Sequence, residues 1–197
     1  MKPVIAAFDF DGTITTKDTL LEFIRFSKGN LRFLWGFLLH LPLLIAYKAK
    51  MVPNWEVKQK LFSYFFKGMK LQEFNRFCVD FYLLNLKLIR PKAEKAILRH
   101  REAGNSLVII SASILNWVEL FAEHFGIFKV LCTEIEIDSG GCLTGCFSTP
   151  NCYGEEKVRR LLQLFPEREN YHLIAYGDSS GDKELLDFAD EKFYRQF

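Results

Sequence analysis

The chain has 197 residues, 49% of them hydrophobic and 25% charged, with a formal net charge of +2 at pH 7. That balance excludes a disordered chain, and the length suffices for one α/β core of about 120 residues plus an insertion, without a second independent domain. Lysine and arginine are dispersed, which argues against a nucleic-acid partner, and an odd number of cysteines, five, suits free thiols in a reducing compartment.

Lys2-Pro3 leads directly into the apolar run 4–10, so no secretory leader is expected and a cytoplasmic protein is the default. The run is too short for a membrane span and reads as a buried strand of a parallel sheet, where helices cover both faces. It ends in Asp9 and Asp11, at the end of the strand where open α/β sheets bind ligands. Carboxylates two residues apart share a face and repel unless a cation or proton lies between them, and a divalent metal is the simplest resolution. Gly12 permits a sharp turn close to a ligand, and Thr13 offers a hydroxyl and a nearby N–H to anionic oxygens. Taken alone, the same residues also make a solvated turn.

Residues 16–88 show no convincing strand. Phe62, Phe65 and Phe66, then Phe74, Phe77, Cys78 and Phe81, recur at helical spacing, which predicts a helical insertion. Asp18, supported by Glu22, reads as the N-cap of its first helix. Residues 31–47 are apolar around almost the whole circumference, with Lys28 and Arg32 on one side and Lys48 and Lys50 on the other. Trp35 and Tyr47 near the ends fit an interfacial membrane contact, while His40 and Pro42 interrupt a stretch already marginal for a span. Helices apolar all round also occur inside soluble folds, and burial within the insertion is the preferred expectation.

The core resumes at Arg90-Pro91 with a helix to about Glu102, closed by Gly104. A strand at 107–110 ends in Ser111-Ala112-Ser113 and enters a helix over 114–125. Such a junction offers a hydroxyl and free N–H groups to a phosphate, or simply an N-cap at Ser113. A strand over 130–137 leads to a hairpin turn at Asp138-Ser139-Gly140-Gly141. Cys132, Cys142, Cys146 and Cys152 cluster near it but contain no Cys-x-x-Cys pair, so packing thiols are preferred over zinc. Gly154-Glu155-Glu156-Lys157 opens an amphipathic helix over 157–165, and Lys157 taken alone is one more surface charge. A strand over 172–176 runs into Gly177-Asp178-Ser179-Ser180-Gly181-Asp182, where either Asp also suits an N-cap, and a last strand lies at 192–194. This order predicts an α/β fold with a doubly wound parallel sheet.

Together the four ordered segments, Asp9-Phe10-Asp11-Gly12-Thr13, Ser111, Lys157 and the run from Gly177 to Asp182, resemble the haloacid dehalogenase superfamily, and most of all its phosphoserine-phosphatase-like branch. The resemblance implies a core of residues 1–15 and 89–197, an inserted α-helical cap of residues 16–88, and a Mg²⁺-dependent phosphatase acting on a small phosphomonoester. It implies Asp9 as nucleophile forming an aspartyl-phosphate, and Asp11 as general acid and base. Ser111 and Lys157 would hold the transferring oxygens, with Gly12, Thr13, Ala112 and Ser113 as further substrate contacts. Asp9, the Asp11 backbone carbonyl and Asp178 would ligate the metal, and Asp182 would orient Lys157 or a metal-bound water. In that branch a Glu of the first cap loop meets the substrate amine. Asp18 stands at the matching position, one methylene shorter, and Ser111 lacks the paired glycines that follow in phosphoserine phosphatases, so phosphoserine itself is not expected. The apolar segment resembles one in the phosphatidylglycerophosphatase C type, which keeps a membrane-associated lipid-phosphate phosphatase as the alternative. A phosphomutase or a non-catalytic phosphate-binding module are further alternatives, and Asp11 disfavours a dehalogenase.

Overall fold

A computed structural model describes residues 2–197. β1 (Val4–Phe8) leads through a tight turn to the cap, built from α1 (Thr19–Leu39), α2 (Leu41–Lys48), α3 (Asn54–Phe66) and α4 (Leu71–Asn85). The core continues with α5 (Pro91–Glu102), β2 (Ser106–Ile114), α6 (Leu115–His124) and β3 (Val130–Thr133). A hairpin of β4 (Ile135–Ile137) and β5 (Leu143–Phe147) follows, then α7 (Glu155–Leu164), β6 (His172–Gly177), α8 (Lys183–Phe188) and β7 (Glu191–Tyr194).

The main sheet is parallel throughout, in the order β3-β2-β1-β6-β7. β1 is apolar on both sides because each side meets helices. Ala6 and Phe8 join the layer formed with Ile97 of α5 and Trp117 and Phe121 of α6, whereas Ile5 and Ala7 join Leu161 of α7 and Leu185 of α8. The chain builds outward from β1 to β2 and β3, then crosses to β6 and β7, so β1 is the topological switch where ligand crevices form.

Two extended linkers form the neck between core and cap. Thr15 and Ile89 make an antiparallel bridge, the Thr16 N–H donates to the Leu88 carbonyl at 2.8 Å, and the Arg90 N–H donates to Ile14 at 2.8 Å. Above the neck, the Phe23 ring of α1 lies 5.4 Å from each of Phe66, Phe74 and Phe81 and 4.7 Å from Trp117. This aromatic cluster accounts for the helical spacing of the cap phenylalanines and ties the cap to α6.

Three local expectations are corrected. The stretch 130–137 is two strands, because the chain leaves the main sheet after Thr133 and Ile135 pairs antiparallel with Phe147. β2 runs on to Ile114 through an irregularity opposite β3, so Ile114 and not Ser113 precedes α6. The apolar segment 31–47 is not cap core. Only Phe33 and Gly36 are buried, and Leu31, Leu34, Trp35, Leu38, Leu39, Leu41 and Ile45 are exposed. The physical reason is that α1 and α2 touch the rest of the cap along one narrow side: Gly36 sits so close to α3 that a Cβ there would come within 2.2 Å of the Phe65 ring. No single described helix is long and apolar enough to cross a membrane.

Candidate active site

Asp9 and Asp178 follow β1 and β6, Ser111 lies in the last half of the adjacent β2 where its register shifts, and all three line one cavity of ≈ 410 Å³ between core and cap. Asp9 still belongs to the ladder, since its N–H donates to the Tyr176 carbonyl at 2.9 Å, and the residue is 5% exposed. Lys157, far from being a surface charge, is 2% exposed on the first turn of α7. Its Nζ donates to Asp9 Oδ1 at 2.6 Å and to Asp182 Oδ1 at 2.5 Å. The other Asp182 oxygen accepts from the N–H groups of Asp178 and Ser179 and from the Ser179 hydroxyl, which fixes the 178–182 loop around the lysine.

The electrostatics are unbalanced toward negative charge. Burial, reinforced by Asp182 and Asp11 against the opposing pull of Lys157, raises the Asp9 pKa from 3.8 to about 7. Burial likewise raises the half-buried Asp178, with Asp182 adding to it. Burial lowers the Lys157 pKa, but Asp9 and Asp182 outweigh it and keep the ammonium charged. One carboxylate oxygen from each of Asp9, Asp178 and Asp182 lies within 4.8 Å of the others. Gly12, at φ 80°, is the only residue type that fits beneath this group, because a Cβ would stand 2.3 Å from an Asp178 oxygen. A crowded set of hard oxygen donors with surplus negative charge fits a divalent cation such as Mg²⁺. Asp9 and Asp178 are the side chains free to ligate it, since Asp182 is committed to Lys157 and Ser179.

Asp11 is held differently. Its Oδ1 accepts from the Thr19 N–H at 2.8 Å and the Thr19 hydroxyl at 2.6 Å, and its Oδ2 accepts from the Ser113 hydroxyl at 2.9 Å. Trp117 Nε1 donates to the Thr19 oxygen at 3.0 Å, completing a buried relay from α6 through α1 to the carboxylate. Burial raises the Asp11 pKa to about 6, with Asp18 adding to the rise and Lys58 and Thr19 opposing it. With its side chain so engaged, Asp11 has its backbone carbonyl left for a metal.

Of the sequence-predicted residues, Asp9, Asp11, Gly12, Asp18, Ser111, Ala112, Lys157 and Asp178 line the cavity. Thr13 does not: Gly12 turns the chain so that Thr13 is 3% exposed, with a hydroxyl that finds no partner. Ser113 is also corrected, since the β2 irregularity aims its hydroxyl at Asp11 instead of the cavity. Asp18 caps α1 by accepting from the Leu21 N–H at 3.2 Å, and it remains at the cavity rim. Sequence reasoning missed Thr19 and Trp117, which position Asp11, and the rim residues Tyr47, Lys58, Arg90 and Tyr153. Thr19 stands immediately after the capping Asp18, and that hydroxyl was the available signal.

Residues 6–187 match the family model of the haloacid dehalogenase-like hydrolases. Protein CicA of Caulobacter vibrioides is 34% identical over 197 residues, spanning 100% of this chain and 87% of that protein. Among solved structures, a protein of unknown function from Bordetella pertussis Tohama I superposes with a TM-score of 0.84 at 18% identity, covering 98% of this chain and 89% of that one. A phospho-aspartyl intermediate analogue of phosphoserine phosphatase superposes with a TM-score of 0.66 at 18% identity, covering 98% and 86% of the two chains. The structural likenesses show a shared fold, and the family model together with the relation to CicA shows that the chain belongs to the haloacid dehalogenase-like hydrolase family.

Proposed function

We propose that this hydrolase is a Mg²⁺-dependent phosphatase that cleaves a phosphomonoester through an aspartyl-phosphate on Asp9. The observation that carries this reading is the position of Asp9: buried at the end of the central strand, hydrogen-bonded to Lys157, and beside Asp178. A carboxylate attacking a phosphoester dianion meets like charge, so the site must supply positive charge where the phosphoryl group sits. Mg²⁺ bound by Asp9, Asp178 and the Asp11 carbonyl would supply part of it as a Lewis acid.

The chain's own residues do the rest. Lys157, clamped between Asp9 and Asp182, orients the nucleophile and offers its charge to the transferring oxygens. Ser111, which accepts from the Ser113 N–H at 3.1 Å, presents its hydroxyl to the same cavity. Asp11, with a pKa of about 6, is positioned to protonate the leaving alkoxide and then to take a proton from the hydrolytic water. The phosphoserine phosphatase of the same fold, captured as a phospho-aspartyl analogue, supports the covalent step.

Hydrolysis of an aryl phosphate tests the reading. Activity is expected with Mg²⁺ and not with a chelator, and Asp9→Asn is expected to lose about 10³-fold or more in kcat. Near-normal turnover in that variant would overturn the assignment of Asp9.

A further inference from the structure

The outer face of α1 and α2 has no role in the chemistry above, yet it is the most apolar exposed surface of the cap. Leu31, Leu34, Trp35, Leu38 and Leu39 follow one another at helical spacing along a single stripe of α1, and Leu31 and Trp35 are 78% and 64% exposed. Ile45 on α2 adds to them at 60%. Scattered exposed leucines are ordinary, but a contiguous stripe of this size marks an interaction surface.

The charge pattern identifies the partner. None of the 33 residues between Glu22 and Glu56 is acidic, while five are Lys or Arg. Arg32, Lys48 and Lys50 are exposed and form no ion pair among the described residues. An apolar stripe on a segment that carries cations and no acid of its own matches an anionic bilayer, whose headgroups attract the cations while leucine and tryptophan enter the acyl boundary. Depth is limited by geometry. Gly29 breaks α1 at φ 80°, ψ 161°, and α1 and α2 are bent by 61°, so each straight piece is far shorter than the roughly 20 residues a span requires.

The face also leads to the active site. Tyr47 on α2 lines the catalytic cavity, and its hydroxyl accepts from Asn54 at 3.2 Å. Asn54 and Tyr153 are shared with an adjoining groove of ≈ 590 Å³, walled by Pro53, Trp55, Phe147 and Pro150. We propose that the α1–α2 face docks peripherally on an anionic lipid bilayer, and that the substrate is a phosphomonoester of a membrane amphiphile whose apolar part enters this groove. The substrate clause rests on the phosphatase reading, whereas the docking clause does not.

Three measurements on the full chain separate the two clauses. Flotation with phosphatidylcholine vesicles containing phosphatidylglycerol, at low salt and without substrate, reads docking alone. The wild type is expected to float with these vesicles and not with phosphatidylcholine alone. The triple substitution Leu31→Ser, Leu38→Ser, Ile45→Ser, confined to exposed positions, is expected to reduce partitioning by about tenfold or more while leaving aryl phosphate hydrolysis unchanged. Phosphate release from phosphatidate in the same vesicles is expected in the wild type and lost in the triple variant. A wild type that stays unbound, including one that pairs this face with a second copy in sedimentation, overturns docking, as does a triple variant that still floats. Flotation and aryl phosphatase activity without phosphatidate hydrolysis overturn the substrate clause. Absence of aryl phosphatase activity in a protein that floats overturns the phosphatase reading and leaves docking standing.

Discussion

Lys157 keeps its charge almost out of contact with water because Asp9 and Asp182 hold it from two sides. The three buried or half-buried acids near it exceed what one ammonium can neutralise, and that excess has a measurable consequence. Asp9 has a folded pKa of about 7 against 3.8 for an ordinary carboxyl. The fold therefore binds a proton that the unfolded chain releases, so this group's contribution to metal-free stability is full below about pH 4 and falls as pH rises toward 7. The metal-free protein is expected to melt at a higher temperature at about pH 5.5 than at about pH 8, and Mg²⁺ is expected to reduce the difference by compensating the carboxylates. Asp178→Asn removes one of the crowded charges. It is expected to raise the metal-free melting temperature slightly and to abolish the Mg²⁺-induced increase. An unchanged Mg²⁺ response in calorimetric melts would show that Asp178 is no ligand. At this scale the sequence was legible for the acids and the lysine, because each lies at a strand end or a helix start. Ser111 was legible through the resemblance, but the turn of the Ser113 hydroxyl to Asp11 was not, since it goes with the irregularity in β2 that no local pattern marks.

The helices of the cap show how one element can carry two unlike faces. Gly36 of α1 meets Phe65 of α3 with no room for a side chain, whereas Leu34 two residues earlier points to solvent. Gly36→Leu is expected to cost about 2–3 kcal/mol, a drop of about 5–10 °C in Tm, because the two helices must separate. Leu34→Gln is expected to stay within about 0.5 kcal/mol of the parent. Thermal melts check both, and an unaffected Tm for Gly36→Leu would mean that α1 and α3 are not held in contact. Periodicity identified the cap helices from their phenylalanines, but it could not assign a face to residues 31–47. A segment apolar all round has no polar side to mark solvent, so its exposure emerged only from the crossing of α1 and α3.

Over the whole molecule, the parallel sheet brings together residues as distant as Asp9, Ser111, Lys157 and Asp178, and the paired linkers at Thr15 and Ile89 set the cap above them. The doubly wound order followed from apolar runs alternating with helical stretches. The relay from Trp117 through Thr19 to Asp11 did not, because it depends on α6 of the core meeting α1 of the cap. That relay fixes the Asp11 carboxylate apart from Asp9, and the proposed mechanism gives the attack to Asp9 and the proton transfers to Asp11. An aryl phosphate has a good leaving group, so Asp11→Asn should still permit attack by Asp9 while slowing hydrolysis of the intermediate. Mass spectrometry of the intact chain and its peptides after rapid acid quench during Mg²⁺-dependent turnover tests this directly. The expected result is one phosphoryl adduct on the peptide containing Asp9, enriched in Asp11→Asn and absent in Asp9→Asn. Turnover of the aryl phosphate with no adduct on that peptide in either the wild type or Asp11→Asn would contradict the covalent mechanism.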